Sequence, residues 1–191
     1  MTRVILLTII FLNIISPSQG LSKIVGIDDL IIRSGLFYKK FTDVPYSGTV
    51  YGIQNGDLVV GKRHNMWTFY YKNGQLEKKG LYNFGIKEGI WEIYWLNGQI
   101  FREGKYLNGK KEGLWLDYHE NGQLWEIGNY KLGNKNGIWE TYWDHGGLYS
   151  KGEFNMGEAE GSWKYFKLDG TPDYSFSGEY ERGGKISNLE N

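Results

Sequence analysis

Five tryptophans, Trp67, Trp91, Trp115, Trp139 and Trp163, stand 24 residues apart. An internal period of this length is the mark of a repeat architecture in which each unit contacts its neighbours along the chain. Other series keep the same step: Gly74, Gly98, Gly122, Gly146 and Gly170; Tyr70, Tyr94, Tyr118, Tyr142 and Phe166; Tyr82, Tyr106, Tyr130 and Phe154. Gly80, Gly104, Gly128 and Gly152 precede the last series by two residues, and Gly178 and Tyr180 arrive two residues late, which places an insertion between Gly170 and Gly178.

The unit reads Gly-x-Trp-x-x-Tyr-x-x-Asn-Gly-Gln-Leu-x-x-x-Gly-x-Tyr-x-x-Gly-x-x-x. It holds two short aromatic and branched segments, each bounded by a turn. "WEIYW" is too short for a stable helix, and "LNGQ" is a hairpin signal, because Asn and Gly accept the positive φ that a tight hairpin turn needs. The second boundary, "NGKKEG" at 108–113, reads as a longer turn. Each repeat is then two antiparallel strands. About seven apolar side chains per repeat, at roughly 2–3 kcal/mol each when buried, do not offset roughly 1.5 kcal/mol of ordering entropy for each residue. No repeat stands alone, and the array folds as a ladder.

The expectation is an all-β fold: an elongated, twisted antiparallel meander built from 24-residue hairpins, five repeats giving about ten strands and roughly 48 Å of sheet. Aromatics at 17%, with 28 Gly and only 3 Pro, agree with short strands and glycine turns. The five Trp, Tyr70, Tyr94, Tyr118, Tyr142, Phe166, Tyr82, Tyr106, Tyr130 and Phe154 form the expected repeat core. Mid-strand Gly80 and its equivalents make room for rings from the neighbouring strand. Strict alternation places Trp91 and Tyr94 on opposite faces, so either both faces hold aromatics or a bulge re-aims one ring.

Residues 1–20 read as a secretory signal: Arg3, an apolar run from Val4 to Ile15, and small residues at Ser18 and Gly20, with cleavage expected after Gly20. The apolar run of about 12 residues is short for a bilayer span of roughly 20. No cysteine follows it, or occurs anywhere, so a lipid anchor, a disulfide framework and a thiolate site are all disfavoured. Residues 21–60 are expected to form a β lead-in, with a strand pair around Ser34-Gly35, and a degenerate capping repeat. Residues 61–186 hold the five repeats and a C-terminal cap, and 187–191 a loose tail. The mature protein is expected to be exported, periplasmic or secreted.

Lys+Arg and Asp+Glu number 22 each, so nothing draws the chain to nucleic acid or to an anionic membrane. His64, His119 and His145 fall at three different repeat phases and do not stack into a metal-ligand set. Glu88, Glu112 and Glu160 share a phase and form an edge row, but a paired-carboxylate enzyme needs two unlike environments. No catalytic, cofactor or metal motif is present, and no enzyme is expected. Trp95, Trp125 and Trp143 are extra to the repeat template. As partly exposed rings on a rigid sheet they are the candidate anchors for a protein partner or for sugar rings.

"YYKNGQLEKKGLYNFGIKEGIWEIYWLNGQ" (70–99) closely resembles the variant MORN repeat, and the whole chain is similar to bacterial proteins classed as the YwqK family of antitoxins. "GLFYKKFTDVPYSGTV" and "GEYERGGKISN" are similar to the lead-in and the ending of members of that family. The resemblance implies a non-catalytic hairpin-repeat protein that binds another protein, a toxin in some members. Elsewhere MORN repeats are associated with protein scaffolding and with membrane lipids. The chain departs from the pattern at Asn65, at His145-Gly146-Gly147 and at Pro172. The expected function is an exported scaffold binding another protein in an antitoxin-like role. The alternative is a glycan or cell-wall binding module using exposed aromatics, and near-neutral charge gives lipid contact little support.

Overall fold

The computed structural model describes residues 23–189; the expected signal segment, with its cleavage site, lies outside the described residues. In chain order the strands are β1 (Ile24–Gly26), β2 (Leu30–Arg33), β3 (Leu36–Lys39), β4 (Gly48–Tyr51), β5 (Gln54–Val59), β6 (Lys62–Tyr70), β7 (Leu76–Asn83), β8 (Ile86–Tyr94), β9 (Ile100–Leu107), β10 (Lys110–Tyr118), β11 (Leu124–Lys131), β12 (Asn134–Tyr142), β13 (Leu148–Asn155), β14 (Glu158–Tyr165), β15 (Gly178–Glu181) and β16 (Gly184–Asn188). From β4 to β16 each strand pairs antiparallel with the next. β1 joins β4 in parallel, and β2–β3 is a separate hairpin. The sheet has 14 strands, which at about 4.8 Å per step spans roughly 62 Å.

Burial in this open sheet comes from one arrangement repeated five times. Trp91 lies opposite Gly80 on β7 and Gly104 on β9. Its indole folds over Gly80, as Trp115 does over Gly104, Trp139 over Gly128 and Trp163 over Gly152; a Cβ on any of these glycines would lie closer than 3.0 Å to the ring. Tyr82 and Tyr106 stand edge-on at 5.0 and 6.0 Å, forming the walls around Trp91. Lys87 lies over the ring at 4.2 Å. The indole N–H donates to the Leu81 carbonyl at 3.1 Å, and Trp115, Trp139 and Trp163 repeat that bond to the carbonyls of Lys105, Asn129 and Glu153. Each tryptophan is therefore only 0–5% exposed, with its one polar atom satisfied, although no second layer covers most of the row.

The remaining core positions divide by face. Tyr82, Tyr106, Tyr130 and Phe154 are half-buried beside the tryptophans. Tyr70, Tyr94, Tyr118, Tyr142 and Phe166 are also half-buried. Tyr94 and Tyr142 donate to Glu92 and Glu140, two residues back and so on the face opposite Trp91 and Trp139. Tyr118 donates to Glu103 at 2.9 Å. Both faces thus hold aromatics, while from β8 to β14 the buried apolar side chains are the tryptophans alone.

Two bulges recur in every full repeat. In the first, Gly89 and Ile90 are passed over in the pairing of β8 with β7, and the glycine sits at φ 66. Asn65 occupies this position in the first repeat at φ 60, so the substitution keeps the left-handed conformation that asparagine tolerates. In the second bulge, one residue of the partner strand is skipped: Glu77, Phe101, Trp125 and Tyr149 in successive repeats.

The two turn types are the reverse of the sequence expectation. At the Asn-Gly-Gln boundary the Trp95 N–H bonds the Gln99 carbonyl at 2.7 Å and the Gly98 N–H returns to the Trp95 carbonyl at 2.9 Å. Only Gly98 has positive φ there; Asn97 keeps an ordinary backbone and caps the Gln99 N–H through Oδ1. His145-Gly146-Gly147 closes the same turn, with the Trp143 N–H on the Gly147 carbonyl at 2.8 Å. The tight two-residue turns lie at the other boundary: Phe84-Gly85, Asn108-Gly109, Leu132-Gly133 and Met156-Gly157, with both residues at positive φ. These match the mirror-image hairpin turn that favours Asn-Gly.

At the N-terminal end β2–β3 adds a second layer. Phe37, Leu30 and Val25 join Val50, Leu58, Trp67 and Phe69 in an apolar cluster. The C-terminal insertion is taken up by a short turn in which Ser177, buried, donates to the Asp173 carbonyl at 2.7 Å, and Pro172 bridges to Phe166. The expected loose tail begins later than residue 187, because Ser187 and Asn188 pair with Glu179 and Gly178 in β16.

Gly104→Ala should destabilise the protein by about 3 kcal/mol or more, since the indole must leave its seat. Gly98→Ala, where a Cβ meets nothing within 4 Å, should cost about 1 kcal/mol from backbone conformation alone. Urea unfolding of the two variants measures the difference. Leu132→Asn and Met156→Asn should each raise stability by roughly 0.5–1 kcal/mol by easing the left-handed turn position, read as a melting temperature a few degrees higher.

Candidate functional site

A meander places its two turn types on opposite long edges, and the two edges differ chemically. On the Asn-Gly-Gln edge, one side chain per repeat reaches back to the next repeat's backbone. The Tyr71 hydroxyl donates to the Tyr94 carbonyl at 2.7 Å, Trp95 Nε1 to the Tyr118 carbonyl at 3.0 Å, and His119 Nε2 to the Tyr142 carbonyl at 2.9 Å. A carbonyl only accepts, so His119 carries its proton on Nε2. Asn97 and Asn121 add bonds to the carbonyls of Glu120 and Asp144. Trp143 occupies the same phase, packed on Tyr149 at 4.6 Å, but its buried Nε1 has no partner.

The three sequence-predicted anchors are therefore not equivalent. Trp95 and Trp143 are half-buried, and Trp95 holds neighbouring repeats together. Trp125 is a bulge residue, 41% exposed, and freed from the ladder in the way that re-aims a side chain. Trp95 and Trp125 are brought together with His119, Glu120, Asn121 and Asp144 around a shallow groove of about 580 Å³. Phe101 packs between the two tryptophans, 4.3 Å from Trp95 and 6.4 Å from Trp125. Trp143 lies one repeat further along and outside the groove lining.

The opposite edge presents apolar tips. Val60, Phe84, Leu132 and Met156 occupy the first central position of successive two-residue turns at φ 45–54 and are 42–60% exposed. Bulky side chains are outliers in this backbone region, a β-branched valine above all. Asn108, the residue the geometry prefers, appears once in the same series. The acidic row read from the sequence holds these turns. Glu88 accepts the Asn108 N–H and Glu112 the Leu132 N–H, both at 2.9 Å, while Glu160 accepts that of Arg182 at 3.4 Å. His64 Nδ1 accepts the Phe84 N–H in the same way.

A cation row also escaped the sequence reading. Arg63, Lys87, Lys111 and Lys135 share a phase and lie over Trp67, Trp91, Trp115 and Trp139 at 4.0–4.9 Å. Lys135 pairs with Glu126 at 2.5 Å, whereas Lys111 reaches only the Tyr130 hydroxyl at 3.3 Å. The tips, the cations and the bulge residues were all legible as 24-residue series, but only to a search that ignored residue identity. Among the described residues no group of three His, Asp or Glu side chains is placed to hold a metal ion.

Burial, with Arg102 nearby, pushes the Lys111 ammonium down from 10.5 to about 8. Between those values the unfolded chain binds more protons there, so stability rises with pH. Tyr118 and Tyr165, raised chiefly by burial, and Tyr142, raised chiefly by its bond to Glu140, stand at about 12 against an ordinary 10.0. Above about pH 10 the unfolded tyrosines ionise first and stability falls again. Urea midpoints should therefore climb from pH 8 towards 10 and then drop, and Lys111→Met should flatten the climb while leaving the drop.

Residues 63–83, 87–108, 111–132 and 135–156 each match the family described as MORN repeat variant. No curated protein matches the chain. The four matches run in tandem and cover β6 to β13, the regular centre of the sheet.

Proposed function

We propose that this chain is an exported, non-enzymatic scaffold that binds another protein along the edge formed by its two-residue turns, in a toxin-neutralising, antitoxin-like role. MORN repeats are often protein- or membrane-binding scaffolds. The observation that carries the reading is the row of tips: Val60, Phe84, Leu132 and Met156 are exposed apolar side chains held where asparagine would relieve the backbone. Strain of this kind, at exposed and otherwise replaceable positions, fits a surface shaped for contact rather than for stability. Val60 and Phe84, like Leu132 and Met156, are two strands apart, roughly 10 Å, and Phe84 and Leu132 are four strands apart, roughly 19 Å, spacings that suit an extended protein surface rather than a small molecule. Export is supported by the order of charge, apolar run and small residues in 1–20. The toxin-neutralising role is supported by resemblance alone.

The test uses residues 21–191, immobilised and exposed to the exported fraction of the protein's own cells. The unaltered protein should retain a partner that the triple variant Val60→Asn, Leu132→Asn, Met156→Asn releases, although the variant melts at the same or a higher temperature. Equal retention by both proteins removes the tips from the reading. A captured partner that fails to arrest growth when expressed alone removes the toxin-neutralising role.

A further inference from the structure

The groove on the other edge takes a ligand of a different kind. Its rings are already fixed by the repeat framework: the Trp95 indole N–H is spent on the Tyr118 carbonyl and the His119 Nε2–H on the Tyr142 carbonyl. Asn121 is spent as well, donating to the Asp144 carbonyl at 2.6 Å and accepting the Gln123 N–H at 3.0 Å. What the groove still offers is Trp125, 41% exposed, with Phe101 beside it at an interplanar angle of 24° and His119 at 37°. The rim adds the side chains of Glu120 and Asp144, both exposed. The Asp144 carboxylate is 76% exposed, with His145 Nδ1 at 3.8 Å.

We propose that this groove binds one ring of a neutral oligosaccharide, whose C–H face lies on Trp125 while its hydroxyls donate to the carboxylates of Glu120 and Asp144. Three features select that chemistry. Phe101 and His119 lie at 24° and 37° to Trp125 and Trp95 is tilted 50° from Phe101, forming an open platform, whereas the box that surrounds an organic ammonium places aromatic faces around the cation. The two rim carboxylates accept hydrogen bonds from neutral hydroxyls and repel anionic polymers. The platform is pre-organised by bonds already made within the scaffold, so little ordering is required on binding. The groove lies on the edge opposite the apolar tips, so this inference stands whether or not those tips bind a protein.

The test titrates residues 21–191, labelled with nitrogen-15, with cellotriose, maltotriose, xylotriose and triacetylchitotriose, and separately with choline chloride. At least one oligosaccharide should shift the Trp125 indole signal. Trp125→Ala should weaken that binding about tenfold, and the double variant Glu120→Gln, Asp144→Asn should weaken it while leaving the melting temperature unchanged. The triple variant of the turn tips should bind the sugar as the unaltered protein does. The proposal is overturned if none of the four sugars perturbs Trp125, if choline alone does, or if Trp125→Ala binds undiminished while remaining folded.

Discussion

Everything in this fold depends on an indole lying flat on a glycine of the strand before it. A single-layer sheet has no facing element to bury its side chains, and 24 residues cannot supply one. The missing Cβ of Gly80, Gly104, Gly128 or Gly152 lets the following tryptophan drop onto the backbone. Tyrosines from both sides and a lysine or arginine stem from the same strand as the indole then close over the ring. Each core is shared between adjacent strands, so no repeat owns one. The ends show the same dependence. Gly56 lies under Trp67 where the lead-in hairpin adds its apolar cluster, and Gly178, with no tryptophan after it, is covered by the Lys185 stem.

What the sequence made legible follows from this economy of contacts. Residues that recur unchanged, the tryptophans and their glycines, are those for which the geometry accepts no alternative, and they announced the fold. Turn chemistry was harder to read. Asn97-Gly98 has the composition of a two-residue turn, yet Asn97 spends its side chain on the Gln99 N–H and leaves positive φ to the glycine alone. The actual two-residue turns start with Phe84, Leu132 or Met156, residues with no preference for that backbone, so propensity pointed elsewhere.

The candidate site was half legible for a related reason. Trp95 and Trp125 stood out as aromatics that the template does not require, and they do line one groove. Their division of labour was hidden, because a staple and a platform look alike as letters. Tyr71, Trp95 and His119 make equivalent bonds to the next repeat with three different side chains. A reading based on residue identity loses that series at once, whereas phase alone recovers it.

The bulge at Glu77, Phe101, Trp125 and Tyr149 has a further consequence. A position skipped in the pairing with the strand before it is not held to that strand's register, and an acid and three different rings already occupy it in one chain. Copying a repeat therefore duplicates both a rigid frame and one freely rewritable letter upon it. A lineage built on this frame can change what it recognises by drift at one residue per unit, without reopening the question of how the chain folds.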